Sequence, residues 1–127
     1  MKKLPIVLLL YCGLLSANDV KCLSETIYSE ARGEDEKGKL GVGHTVLTRM
    51  KKSNKSACAV IRSAYTRKPI PIEYRDEFIV LARSILAGNT VSPIGDRDSF
   101  NDIVHNKQWV KKAKNPMRIG NLVFHRG

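Results

Sequence analysis

"CLSETIYSEARGEDEKGKLGVGHTVLTRM", residues 22–50, holds two apolar repeats of helical period separated by a break at Gly33. With Val20 just upstream, Leu23, Ile27 and Ala31 recur at the spacing of one helix face. They predict a helix that Gly33 stops and that Asn18 or Asp19 caps. The second repeat predicts a helix from about Glu36 to Lys51, with Leu40, Gly43, Leu47 and Met50 on one side and Gly41 and Gly43 permitting close packing. The glutamates of the first helix point in different directions. At about 100° per residue, Glu30 projects at the edge of the apolar face, on Leu23's side, while Glu25 points almost the opposite way. Glu25 is therefore expected to be solvated. Glu30 is expected where the helix meets core or cleft, and partial removal from water disfavours a charged carboxylate, which suits it to general-acid work. The competing reading of Glu30 is a structural ion pair with Arg32 or Arg49, and position alone weighs the two about evenly.

The 127 residues suffice for one domain with a modest core. Residues 1–17 stand apart. Lys2 and Lys3 precede the apolar run "LPIVLLLYCGLL", and "LSA" brings small residues up to Asn18. That order predicts a secretory signal peptide cleaved near Ala17, with a retained membrane anchor as the alternative; the run is shorter than the roughly 20 residues of a bilayer span. Removing it takes Cys12 and leaves Cys22 and Cys58 as the remaining cysteines. In an oxidising compartment these two are expected to pair, and in a reducing one to be buried thiols. Without Lys2 and Lys3 there are 20 Lys and Arg against 12 Asp and Glu, a net of +8. Such a surface attracts polyanions. Nucleic acid is the usual inference from charge, and an exported protein meets the anionic cell envelope first.

Further along, "KKSNKS" (51–56) reads as a solvated turn, "ACAVIRSAY" (57–65) as a short helix or turn, and "RKPIPIE" (67–73) as a proline-stiffened loop. Phe78, Leu81, Ala82 and Ile85 form the inner stripe of another helix ended by Gly88-Asn89. "DSFNDIV" (98–104) and "IGNLVFHR" (119–126) read as short strands able to pair, with "HNKQWVKKAKNPM" between them. The fold class is α+β, mostly helical, with a small β element near the C-terminus.

"CLSETIYSEARGEDEKGKLGVGHTVLTRM" resembles the opening of the cell-wall hydrolase family typified by spore cortex-lytic enzymes. That family runs Cys-Leu-x-Glu-x-Ile-Tyr-x-Glu-Ala-Arg-Gly-Glu into a Gly-rich helix ending Asn-Arg-Val. The similarity continues through "CAVI" (58–61), "DSFNDIVHNKQW" (98–109) and "RIGNLVFHR" (118–126), so residues 18–127 are expected to be the catalytic domain. The resemblance implies a lysozyme-like fold and cleavage of peptidoglycan glycan strands by a lytic transglycosylase or muramidase, without a metal or other cofactor. By position, Glu30 would be the catalytic acid/base and Glu34 a supporting carboxylate. Tyr28, His44, Phe100 and Trp109 are the candidate substrate-binding residues, with core packing the alternative for each. Three departures stand out: Thr48 replaces the Asn before Arg49, Leu122 occupies the place of a His after "IG", and "AYTRKPIPIEY" (64–74) replaces an aromatic Gln-Phe-Ser-Trp stretch.

A glycosidase with two carboxyls spaces them about 5–5.5 Å or 6.5–9.5 Å apart, and Glu34, Asp98 and Asp102 are the candidates for a second group. A transglycosylase needs only one. His44, His105 and His125 match no zinc spacing, and "GKLGVG" has Val46 where a dinucleotide fingerprint needs its third Gly. The expectation is an exported monomer of the periplasm or cell envelope whose partner is peptidoglycan, not nucleic acid, and which meets a membrane only through an uncleaved N-terminus. Its setting is wall remodelling or phage lysis. The rival readings are a non-catalytic envelope-binding protein of the same fold and a peptidoglycan amidase or endopeptidase, although the metal or nucleophile of the latter is not evident.

Overall fold

The computed structural model describes residues 16–105 and 111–127. Helix α1, Ala17–Ala31, begins at Ser16, whose Oγ accepts the Asp19 N–H at 3.2 Å. The cap therefore lies upstream of the Asn18 or Asp19 expected from the sequence. Asp19 is buried instead and accepts the Cys58 N–H at 3.4 Å. Helix α2, Glu36–Ser53, starts at an Asp35 side-chain cap and ends at Asn54, which takes the left-handed φ of 55° that a short polar side chain tolerates. Helix α3, Ala57–Ala64, is capped by Ser56, and helix α4, Ile72–Leu86, follows the proline-stiffened loop.

Helix α1 packs against α2, α3 and α4, which places Leu23 and Ile27 at the centre of the core with Val42, Val46, Ile61 and Ile85 around them. The two α2 glycines make the close approach possible. A Cβ at Gly41 would run into the Phe124 ring, and one at Gly43 into Ile85. The bond between Cys22 and Cys58 fixes α1 to α3 across 36 positions of chain.

Strands β1, Ser99–Asp102, β2, Lys114–Ile119, and β3, Leu122–Arg126, form an antiparallel sheet in the order β1-β3-β2. The expected pairing of the two C-terminal strands is present, with Phe100 opposite Phe124. Strand β2 was not expected. Its sequence, "KNPMRI", lacks alternation and carries Pro116, both tolerable on an edge strand, and an irregularity between Lys114 and Met117 accommodates them. Ile119 pairs with Leu122, so Gly120 and Asn121 make a two-residue turn, with Gly120 at φ 59°.

One sequence expectation fails clearly. Glu25 is not solvated but buried, and its carboxylate accepts Arg67 Nε from the loop before α4. Helical angle told which way Glu25 points on α1, and the loop that covers it comes from a distant part of the chain.

Candidate active site

Glu30 stands in the last turn of α1, half-buried, as its place at the edge of the apolar face predicts. Its Oε2 accepts the Thr66 N–H at 3.1 Å, and Oε1 has no partner among the described residues. The ion-pair alternative finds no support. Arg32 Nη1 donates to Tyr28 Oη at 3.3 Å, and Arg49 Nε donates to the Asp98 carbonyl at 2.6 Å.

The segment that holds Glu30 is the one that departs from the family sequence. Residues 66–68 lie along α1 through three contacts: Thr66 N–H to Glu30, Arg67 to Glu25, and the Lys68 N–H to Ser29 Oγ at 2.8 Å. Arg67 Nη1 also donates to Cys22 Sγ at 3.0 Å. The carboxylate is thus positioned by backbone anchored at both the disulfide and the buried ion pair.

Tyr65, immediately before Thr66, was not among the sequence candidates. Its ring stacks on Phe100 at 5.2 Å between centroids and 3° between planes, and the Arg49 guanidinium lies 5.1 Å above it. Burial pushes the Tyr65 hydroxyl up to about 12; Arg49 opposes this, and Asp98 and Glu30 add to it. Tyr65 Oη is buried without a hydrogen-bond partner among the described residues. A polar group left so costs about 1–3 kcal/mol. Tyr65→Phe is therefore expected to leave stability unchanged or to raise it, measured by urea denaturation. A destabilised variant would show that the hydroxyl has an acceptor in solution. The sequence signal available was Tyr65 itself, an aromatic immediately after the end of a short helix, without anything local to link it to Glu30.

The other candidates separate. Phe100 joins the Tyr65 stack and tilts against Phe124 at 5.8 Å. Glu34 sits under the β2–β3 turn, where Oε1 accepts the Asn121 N–H at 3.1 Å; a Cβ at Gly120 would strike it. Tyr28 faces α4, edge-on to Phe78 at 5.4 Å and stacked near Tyr74. His44 is buried with Nε2 at 2.8 Å from Thr90 Oγ1, and burial first, then Lys51, holds its pKa below the ordinary imidazole value. Trp109 lies outside the described residues.

Of the remaining acids, Asp98 accepts Lys52 Nζ at 3.1 Å and the Gly127 N–H at 2.8 Å. Burial raises its pKa, but these bonds outweigh it and hold the carboxyl below the usual range. Asp102 accepts the Val104 N–H at 2.7 Å and faces His105 at 3.1 Å, with its pKa lowered accordingly. A separate cleft of about 600 Å³ lies on the α1–α4 face, lined by Lys21, Arg75 and Arg83, and Glu25 there is already held by Arg67.

A sequence model of the cell wall hydrolase family matches residues 33–125, starting three residues past Glu30 and including Glu34, His44, Phe100 and Trp109. No curated protein matches the chain. Two solved structures share its fold. The catalytic domain of the germination-specific lytic transglycosylase SleB from Bacillus anthracis superposes with a TM-score of 0.63 at 21% identity, covering 87% of this chain and 96% of that one. The catalytic domain of the Bacillus cereus SleB protein gives 0.66 at 20% identity, covering 87% and 91%. With three helices around a buried α1 among the described residues, a three-stranded sheet near the C-terminus and a family match over residues 33–125, the chain belongs to the cell wall hydrolase family.

Proposed function

We propose that the protein cleaves the glycan strands of peptidoglycan, with Glu30 as the general acid/base. The observation that carries this reading is the state of Glu30: half-buried at a helix end near the stacked Tyr65, with one oxygen held by the Thr66 N–H and the other without a partner among the described residues. A protonated Glu30 gives its proton to the glycosidic oxygen as that bond breaks. The resulting carboxylate then takes the proton from the muramic acid's own hydroxyl as that oxygen closes on the anomeric carbon. No water is consumed, and Glu30 ends as it began.

Transglycosylation is the better-supported course, because Glu34, Asp98 and Asp102 are each engaged by donors of their own chain. It is also the activity that describes the Bacillus anthracis neighbour in fold. Glu34 supports the site indirectly by joining the end of α1 to the β2–β3 turn, and Phe100 supplies a stacking face for a sugar. Trp109 is assigned as an outer contact to the strand, whereas the buried Tyr28 and His44 are assigned to packing, the alternative role of each. The protein acts outside the cytoplasm as a monomer, exported by residues 1–17 and cleaved near Ala17. No helix among the described residues is long and apolar enough to cross a membrane.

The test is mass spectrometry of soluble products from purified peptidoglycan. Anhydro-muropeptides are expected. Reducing-end products would mean hydrolysis and a second carboxylate brought in by substrate. Intact sacculi that retain bound protein would favour the non-catalytic envelope-binding reading.

A further inference from the structure

The last turn of α2 and one side of α3 border a cleft of about 310 Å³ lined by Arg49, Lys52, Lys55, Ser63 and Asp98. Three cations there face one acid. Lys52 pairs with Asp98 at 3.1 Å. Arg49 directs its donors to the Asp98 carbonyl and to Ser99 Oγ, neither of which carries charge. The Lys55 ammonium has no acidic partner among the described residues. The cleft therefore holds two positive charges in excess. Cations at a helix C-terminus offset its dipole, which accounts for Lys51 and Lys52 in the last turn. It does not account for Lys55, which follows the Asn54 cap.

The cleft adjoins Glu30. Ser63 lines it, and Thr66, three residues further, holds the Glu30 carboxylate; three residues of chain span at most about 11 Å. Arg49 belongs to both places, since its guanidinium also covers the Tyr65 ring at 5.1 Å. A strand presented to Glu30 would thus carry its substituents past these cations. The sugars of peptidoglycan are uncharged while each lactyl carboxyl of muramic acid is amide-linked to its peptide, and the anions of the strand are then the carboxylates of those peptides.

We infer that the Arg49–Lys52–Lys55 cleft is a subsite for the peptide carboxylates of the strand, making peptide-bearing glycan the preferred substrate. This rests on the glycan-cleaving reading above. Phosphate polymers attached to some walls present the same charge, so the test separates the two sources.

The experiment compares initial rates of the full chain on three substrates: peptidoglycan freed of phosphate polymers, the same material stripped of peptides by an amidase with the lactyl carboxyls so exposed capped as methylamides, and walls that keep their phosphate polymers. Wild type is expected to cut the peptide-bearing, phosphate-free strands about tenfold faster than the stripped ones, the scale of a few partly exposed charge contacts. That ratio should fall towards one in Lys52→Gln/Lys55→Gln and in about 1 M salt, where screening reaches ~3 Å. Lys55→Gln alone, which leaves the Lys52–Asp98 pair in place, should lower it part of the way. Equal wild-type rates on the first two substrates, or a preference that survives the double substitution, would overturn the subsite. A preference confined to walls with phosphate polymers would overturn the carboxylate assignment. Cleavage of none of the three would instead remove the glycan-cleaving reading itself.

Discussion

Glu30→Gln is expected to lower the rate of fragment release from labelled peptidoglycan by about 10³-fold, within the range of a lost general acid. Glutamine is close to isosteric, and its carbonyl oxygen can still accept the Thr66 N–H that Oε2 accepts at 3.1 Å. The fold should therefore persist, which circular dichroism and an unchanged urea midpoint would verify. What is lost is the transferable proton. Glu34→Gln provides the contrast: its amide oxygen can still receive the Asn121 N–H, and a rate within about tenfold of wild type is expected. If Glu30→Gln retained more than a tenth of wild-type activity, the acid would have to be another group, and the half-buried position of Glu30 would be structural.

Removing the Cys22–Cys58 bond is expected to destabilise the protein by about 4 kcal/mol, the chain-entropy contribution of closing a loop of 36 positions. The comparison is Cys22→Ala/Cys58→Ala against the bonded protein, both carrying Cys12→Ser so that no spare thiol interferes, with stability read from equilibrium urea unfolding. The loss would not be confined to stability. Arg67 contacts Cys22 Sγ and Glu25, and Thr66 beside it holds Glu30, so freeing α3 from α1 loosens the segment that positions the acid. Activity should fall at temperatures where the domain is still folded. A change in stability below about 1 kcal/mol would mean that the reduced chain already holds α1 and α3 together by packing alone.

The sequence by itself determined the elements whose signal is local. The apolar period of Leu23, Ile27 and Ala31 placed α1; Leu81, Ala82 and Ile85 placed α4; and the glycines of α2 announced close contacts that Phe124 and Ile85 make. It also placed Glu30 at the rim of the core, because a residue's angle on a helix follows from its number. Cys22 and Cys58, expected to pair in an oxidising compartment, are bonded. Tertiary structure alone decided what covers each residue. Glu25 reads as solvated because nothing near it in sequence hides it, and its partner Arg67 is 42 positions away. Thr66 gives Glu30 a backbone donor, a contact with no side-chain signature at all. Strand β2 exists because β3 offers an edge to pair with, not because "KNPMRI" favours a strand. Periodicity fixes the direction of a side chain on its own element, whereas burial and hydrogen bonding depend on which distant segment arrives there, and that is set only when the whole chain closes on its core.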